Sequence, residues 1–255
     1  MRPDSERQTF FIHVPKAAGT SFISFLCSHF EEARIVKGAY WESIRKQPIE
    51  VLRHFDLIAG HIGYELAFHL RDPFLITVLR DPVDRLCSVY EFLRELYERD
   101  PGQTFPDPDV NELVQLWKVV VRRPLEAFLE SPEAPVRAAL LENPQARQLA
   151  QSTPYLLTDL SEEDLRRLAL SRLKRIDVVG CVEHFGETVE LTCRRKGWAP
   201  PADLASYRLN ITENRPIREN LSPAVRRKIE QLCAVDLELY EAGRARLFED
   251  LRNSD

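Results

Sequence analysis

Between Pro15 and Ser21 the chain sets a lysine beside a run of small residues, Lys16-Ala17-Ala18-Gly19-Thr20-Ser21. A loop of this kind at the entry to a helix presents backbone N–H groups at the positive end of the helix dipole. Small side chains let an anion approach that backbone. Lys16 adds a full charge at the edge, and Thr20 and Ser21 add hydroxyl donors. The chemistry that suits these residues is the holding of a phosphate, although a plain turn between strand and helix with a solvent-facing lysine has the same spelling. No G-x-x-x-x-G-K-S/T pattern occurs, which counts against an ATPase or GTPase.

A second constellation is Leu79-Arg80-Asp81-Pro82-Val83-Asp84-Arg85-Leu86-Cys87-Ser88-Val89-Tyr90. An arginine ending a buried strand and a serine on the following helix can clamp a second phosphate, because a guanidinium offers forked donors to phosphate oxygens. Arg80 can equally be the ion-pair partner of Asp81 or Asp84. Between the two constellations stands His61. A neutral imidazole near pH 7 can take the proton that a hydroxyl loses as it attacks, and the alternative is a core histidine at a strand end. Glu65 is a second candidate base. His13, His29, His54, His69 and His184 carry weaker signals.

Positioning these residues requires strands that end where they lie. Thr9-Phe10-Phe11-Ile12-His13-Val14 is β-branched and aromatic and stops at Pro15, so it reads as a buried strand. From Thr20, apolar residues Phe22, Ile23, Phe25, Leu26 and Phe30 recur at helical spacing. Asp56 to His61, Phe74 to Arg80 and Ile176 to Val182 are further continuous apolar runs, as expected for strands covered on both faces of a parallel sheet. A helix is predicted from about Pro82 to Glu98, then a loop from Pro101 to Pro108 suited to a flap. From Val110 to Ala150 helical segments are expected, broken by Pro124, Pro132, Pro135 and Pro144. Helices are also predicted from Ser161, over His184 to Lys196, and as one final helix from Ser222-Pro223 carrying Val225, Ile229, Leu232, Val235 and Leu239. Alternating strands and helices imply an α/β fold with a mostly parallel sheet, whose ligands sit beyond the carboxyl ends of the strands. Pro15 to Ser21, His61 and Arg80 all fall at such ends.

The chain of 255 residues is read as one domain spanning 1–255. Its net charge of −5 argues against a general nucleic-acid partner, since phosphate neutralisation needs concentrated Lys and Arg. Cys27, Cys87, Cys181, Cys193 and Cys233 show no zinc spacing and read as reduced thiols. No apolar run approaches a membrane span or signal segment, so cytoplasmic residence is the expectation.

His13-Val14-Pro15-Lys16-Ala17-Ala18-Gly19-Thr20-Ser21 resembles the 5′-phosphosulfate loop of the carbohydrate sulfotransferase group that includes heparan sulfate 2-O-sulfotransferase. Leu79-Arg80-Asp81-Pro82-x-x-Arg85-x-x-Ser88-x-Tyr90 resembles the 3′-phosphate motif of the same group. Gly60-His61-Ile62 between them agrees, as do Asn210-x-Thr212-x-x-Arg215-Pro216, Leu221-Ser222 and Asp236-Leu237-Glu238-Leu239-Tyr240. The resemblance is patchy but spans most of the chain, with the middle third unmatched. Ala17 stands where threonine is common, which removes one hydroxyl contact, and Ala18 where glycine is common.

The resemblance implies a P-loop-like α/β fold and transfer of a sulfuryl group from 3′-phosphoadenosine 5′-phosphosulfate (PAPS), without a metal, to a hydroxyl of a saccharide, glycolipid or other small molecule. Lys16 would neutralise the leaving phosphate. Ala17, Ala18, Gly19, Thr20 and Ser21 would hold the 5′-phosphate, Arg80 and Ser88 the 3′-phosphate, and His61 would act as base. Arg215 and Asn210 would close over the nucleotide, or serve as a cap or salt bridge. Trp41, Tyr64, Phe68 and Trp117 are aromatics able to stack on a sugar, or to fill the core. The alternatives are a P-loop kinase-like phosphotransferase and a non-catalytic nucleotide-binding protein.

Overall fold

The computed structural model describes residues 3–102, 104, 108–153, 160–207 and 220–253. Its centre is a parallel sheet of five strands: β1 (Thr9–Ile12), β2 (Ile35–Tyr40), β3 (Leu57–His61), β4 (Phe74–Leu79) and β5 (Val178–Cys181), in the order β2-β3-β1-β4-β5. β1 lies in the middle, with Ile12 opposite Gly60 on one side and Thr77 on the other. Phe10, Phe11 and Ile12 are wholly enclosed, which is why this strand shows no polar alternation.

Helix α1 (Gly19–Cys27) follows β1, α2 (Pro82–Arg99) follows β4 and α3 (Pro108–Val120) comes next. Then come α4 (Pro144–Ala150), α5 (Glu162–Leu173), α6 (Phe185–Lys196), α7 (Pro223–Leu232) and α8 (Ala234–Asn253). Successive residues of β5 show that both faces of the sheet are covered. A methyl added at Gly180 would meet the Thr188 side chain of α6 at 2.1 Å, whereas Val179 meets Gly243 of α8, where an added methyl would lie 3.0 Å away. Adjacent side chains of a strand point to opposite faces, so α6 and α8 lie on opposite sides. The expected α/β class is therefore the observed one.

Two differences from the sequence pattern have physical causes. Strand β2 escapes the pattern because it is an edge strand, half exposed, and bulged between Lys37 and Ala39, where Gly38 takes φ +68°. The single final helix is two, α7 and α8, because the N–H groups of Val235 and Asp236 turn to the Asn143 side chain at 2.9 and 3.1 Å. Three of the four prolines of the middle region stand at helix starts: Pro124 precedes the short helix Leu125–Leu129, Pro135 lies in the first turn of Ala134–Val136 and Pro144 is the first residue of α4, while Pro132 lies between helices. The flap expected at Pro101 to Pro108 falls partly outside the described residues. All five cysteines are free thiols, and among the described residues no helix is long and apolar enough to cross a membrane.

Candidate active site

The loop between β1 and α1 is shaped by two residues in left-handed backbone, Lys16 at φ +67° and Ala18 at φ +53°. Ala17 between them does not share that conformation. Such alternation curls successive N–H groups into a concavity that suits an anion, here opening onto the first turn of α1. Each left-handed non-glycine residue costs roughly 1–3 kcal/mol, so the loop must be held from outside. The N–H of Ala17 donates to the carbonyl of Val14 at 3.2 Å, and the guanidinium of Arg80 donates through Nη1 to the carbonyl of Lys16 at 3.1 Å. Ala17 is enclosed within the core and its N–H is spent on Val14, so the loop turns this residue inward. Ser21 is buried, Thr20 is exposed, and the Lys16 ammonium lies 3.7 Å from the centre of the Phe92 ring.

Gly19 has a different reason from the one its spelling suggests. A methyl there would fall 1.6 Å from Nε2 of His13, whose ring lies flat against the glycine. His13 in turn stacks on His61 with ring centres 4.2 Å apart, while Nδ1 of His61 lies 3.2 Å from the carbonyl oxygen of His13. A carbonyl only accepts, so Nδ1 of His61 carries the hydrogen and Nε2 keeps its lone pair. Burial lowers the His61 pKa to about 4; the bond to the His13 carbonyl opposes this and the Lys16 charge adds to it. Burial, then the charges of His61 and Lys16, hold His13 well below its ordinary value. Both imidazoles are neutral at pH 7.

Arg80 leaves the end of β4 and is buried, directed at the loop. Its main chain is gripped by Gln145 of α4, whose Oε1 accepts from the Arg80 N–H at 3.0 Å and whose Nε2 donates to the Arg80 carbonyl at 2.8 Å. Asp81 caps α2 through the N–H groups of Val83 and Asp84, and its own N–H donates to Glu183, which also accepts from the Tyr240 hydroxyl. Ser88 is buried on α2, one turn before Phe92 and hence on the stripe that faces Lys16. Loop, imidazole and guanidinium thus meet beyond the carboxyl ends of β1, β3 and β4.

Other expected residues fall elsewhere. Glu65 accepts a hydrogen bond from Ser152 and lies 3.9 Å from Arg172, so it braces the turn after His61. Tyr64 and Trp117 are core residues, whereas Phe68 is 60% exposed with the Arg172 guanidinium over its ring. Arg215 and Asn210 lie outside the described residues.

No protein-family model matches the chain. Human galactose-3-O-sulfotransferase 2 is 26% identical over 207 residues, 78% of this chain and 47% of the relative. The likeness supports a carbohydrate sulfotransferase family. It gives no support to the heparan sulfate 2-O-sulfotransferase branch in particular, and the chain spans about half the length of this relative.

The left-handed loop, the Lys16 ammonium and the neutral His61 imidazole thus stand at one end of the sheet with the Arg80 guanidinium. Sequence reasoning ranked His13 low and missed Gln145, Asn143, Glu183 and Phe92. His13 carried a signal, since it opens the loop motif; the others are chosen by contacts between distant segments.

Proposed function

We propose that the protein is a PAPS-dependent sulfotransferase acting on a carbohydrate hydroxyl. One observation carries this: the Arg80–Lys16 hydrogen bond of 3.1 Å joins the two phosphate motifs into one site, with His61 on the strand beside them. PAPS supplies the sulfuryl group and leaves as 3′,5′-ADP. The curled loop and the first turn of α1 hold the 5′-phosphate, while Arg80 with Ser88 grips the 3′-phosphate that distinguishes this donor from ATP. His61 Nε2 accepts the proton of the acceptor hydroxyl as its oxygen attacks sulfur. The bond from sulfur to the leaving phosphate oxygen breaks, and Lys16, lifting from Phe92, meets the charge that develops there.

Calorimetric titration tests the donor. Binding of 3′,5′-ADP far tighter than that of 5′-AMP is expected, and equally weak binding of both would sink the proposal. The relative's acceptor suggests the first compounds for an acceptor panel, saccharides ending in galactose. The expected product is heavier by one sulfuryl group when PAPS is present and unchanged when it is omitted.

A further inference from the structure

Gln145 is wholly enclosed, and both ends of its side-chain amide are spent on the main chain of a single residue, Arg80. An amide so placed acts like a short piece of neighbouring strand added at the exit of β4. It fixes the peptide planes on both sides of the Arg80 Cα, and so the direction in which the side chain departs. Gln145 is itself fixed. Its N–H and that of Ala146 donate to the two oxygens of Asp236 at 3.1 and 2.7 Å, so the Asp236 carboxylate caps α4 from another helix. In return Asn143, just before α4, caps the start of α8. The second of these peptides is held from its other side as well, by Glu183 on the Asp81 N–H. At the far end of this chain of contacts the guanidinium reaches the Lys16 carbonyl, in the strained turn of the anion loop.

We infer that Gln145 is a positioning residue of the donor site: by spanning the N–H and carbonyl of Arg80 it aims the guanidinium and sets the preference for a doubly phosphorylated adenosine. It touches no substrate and acts through Arg80, so its loss falls on the 3′-phosphate and not on the rest of the nucleotide. This rests on the donor proposed above. Gln145→Met keeps the length of the side chain and removes both hydrogen bonds; Gln145→Glu keeps one acceptor and sets a second oxygen against the Arg80 carbonyl.

The experiment is calorimetric titration of the unmodified chain and both variants with 3′,5′-ADP and with 5′-AMP, alongside thermal melts. Folded variants are expected to bind 3′,5′-ADP roughly tenfold more weakly or worse, with 5′-AMP binding unmoved. A variant that melts cooperatively and keeps the unmodified chain's preference overturns the positioning role alone. Failure of the unmodified chain to prefer 3′,5′-ADP removes the donor assignment and the positioning role together. For variants that do not fold, the unmodified chain supplies the answer: the Gln145 side-chain NH₂ resonances are expected to shift with 3′,5′-ADP and not with 5′-AMP. Resonances unmoved by both, under saturating 3′,5′-ADP, overturn the inference.

Discussion

A glycine, two stacked imidazoles and a carbonyl fix how His61 presents its free nitrogen. Gly19→Ala puts a methyl 1.6 Å from the His13 ring, which must swing away and take its stacking face from His61. The variant is expected to lose about 1–3 kcal/mol of stability, as overpacked sites do. A urea melt superimposable on that of the unmodified chain would refute this account of the glycine. His61→Ala is expected to lower kcat by about 10²–10⁴, the range for removal of a general base, while 3′,5′-ADP affinity stays nearly unchanged. The separation matters because His61 is assigned to proton transfer and not to donor binding. Unchanged turnover would return the histidine to the core and leave a nucleotide-binding protein without this base.

At the scale of elements, α4 and α8 each supply the cap that the other lacks. Asn143 sits in left-handed backbone at φ +50°, which turns its amide oxygen to the start of α8, and Asp236 in the first turn of α8 returns its carboxylate to α4. Asp236→Asn keeps the shape but exchanges one accepting oxygen for a donating NH₂, set against an N–H in a buried place. A loss of about 1–3 kcal/mol is expected, from a lost cap and an unpaired donor. Denaturant unfolding with an unchanged slope would read it out, and a variant within a few tenths of the unmodified chain would contradict the capping role. The turn after β3 is locked to the last turn of the same helix and the residues just past it, since a methyl on Gly63 would lie 2.8 Å from the Gln148 oxygen and the Gly63 N–H donates to the Ser152 carbonyl at 2.6 Å. Helix α4 therefore connects the turns that leave β3 and β4, and with them His61 and Arg80.

For the whole molecule, the buried titratable groups set how acid acts on the fold. His61, near 4 when folded and 6.5 ordinarily, binds its proton more readily unfolded, so its share of stability is complete above pH 6.5 and is lost as pH falls towards 4. His13 acts in the same direction. Asp236 opposes them: burial raises it to about 6 from 3.8, so its share is lost as pH rises through that interval. Two histidines against one carboxylate predict weakening on acidification below pH 6.5. His61→Asn should reduce that loss by on the order of 2–3 kcal/mol, measured as the difference in urea unfolding between pH 7 and pH 4.5. Equal pH sensitivity in the two proteins would show that His61 does not titrate as described. Much of this architecture was legible in the residue order: apolar runs marked β1, β3, β4 and β5, prolines marked helix starts, and the lysine loop, Gly60-His61 and Arg80 all stood at strand ends. Those signals are local, because strand burial, capping and turn geometry are satisfied by residues a few positions apart. Edge strand β2, the break between α7 and α8, and the grip of Gln145 on Arg80 across 65 positions were decided only by the tertiary fold. Buried amides and carboxylates must find partners wherever packing excludes water, and which partner lies within reach is a property of the assembled elements, not of the chain around either residue.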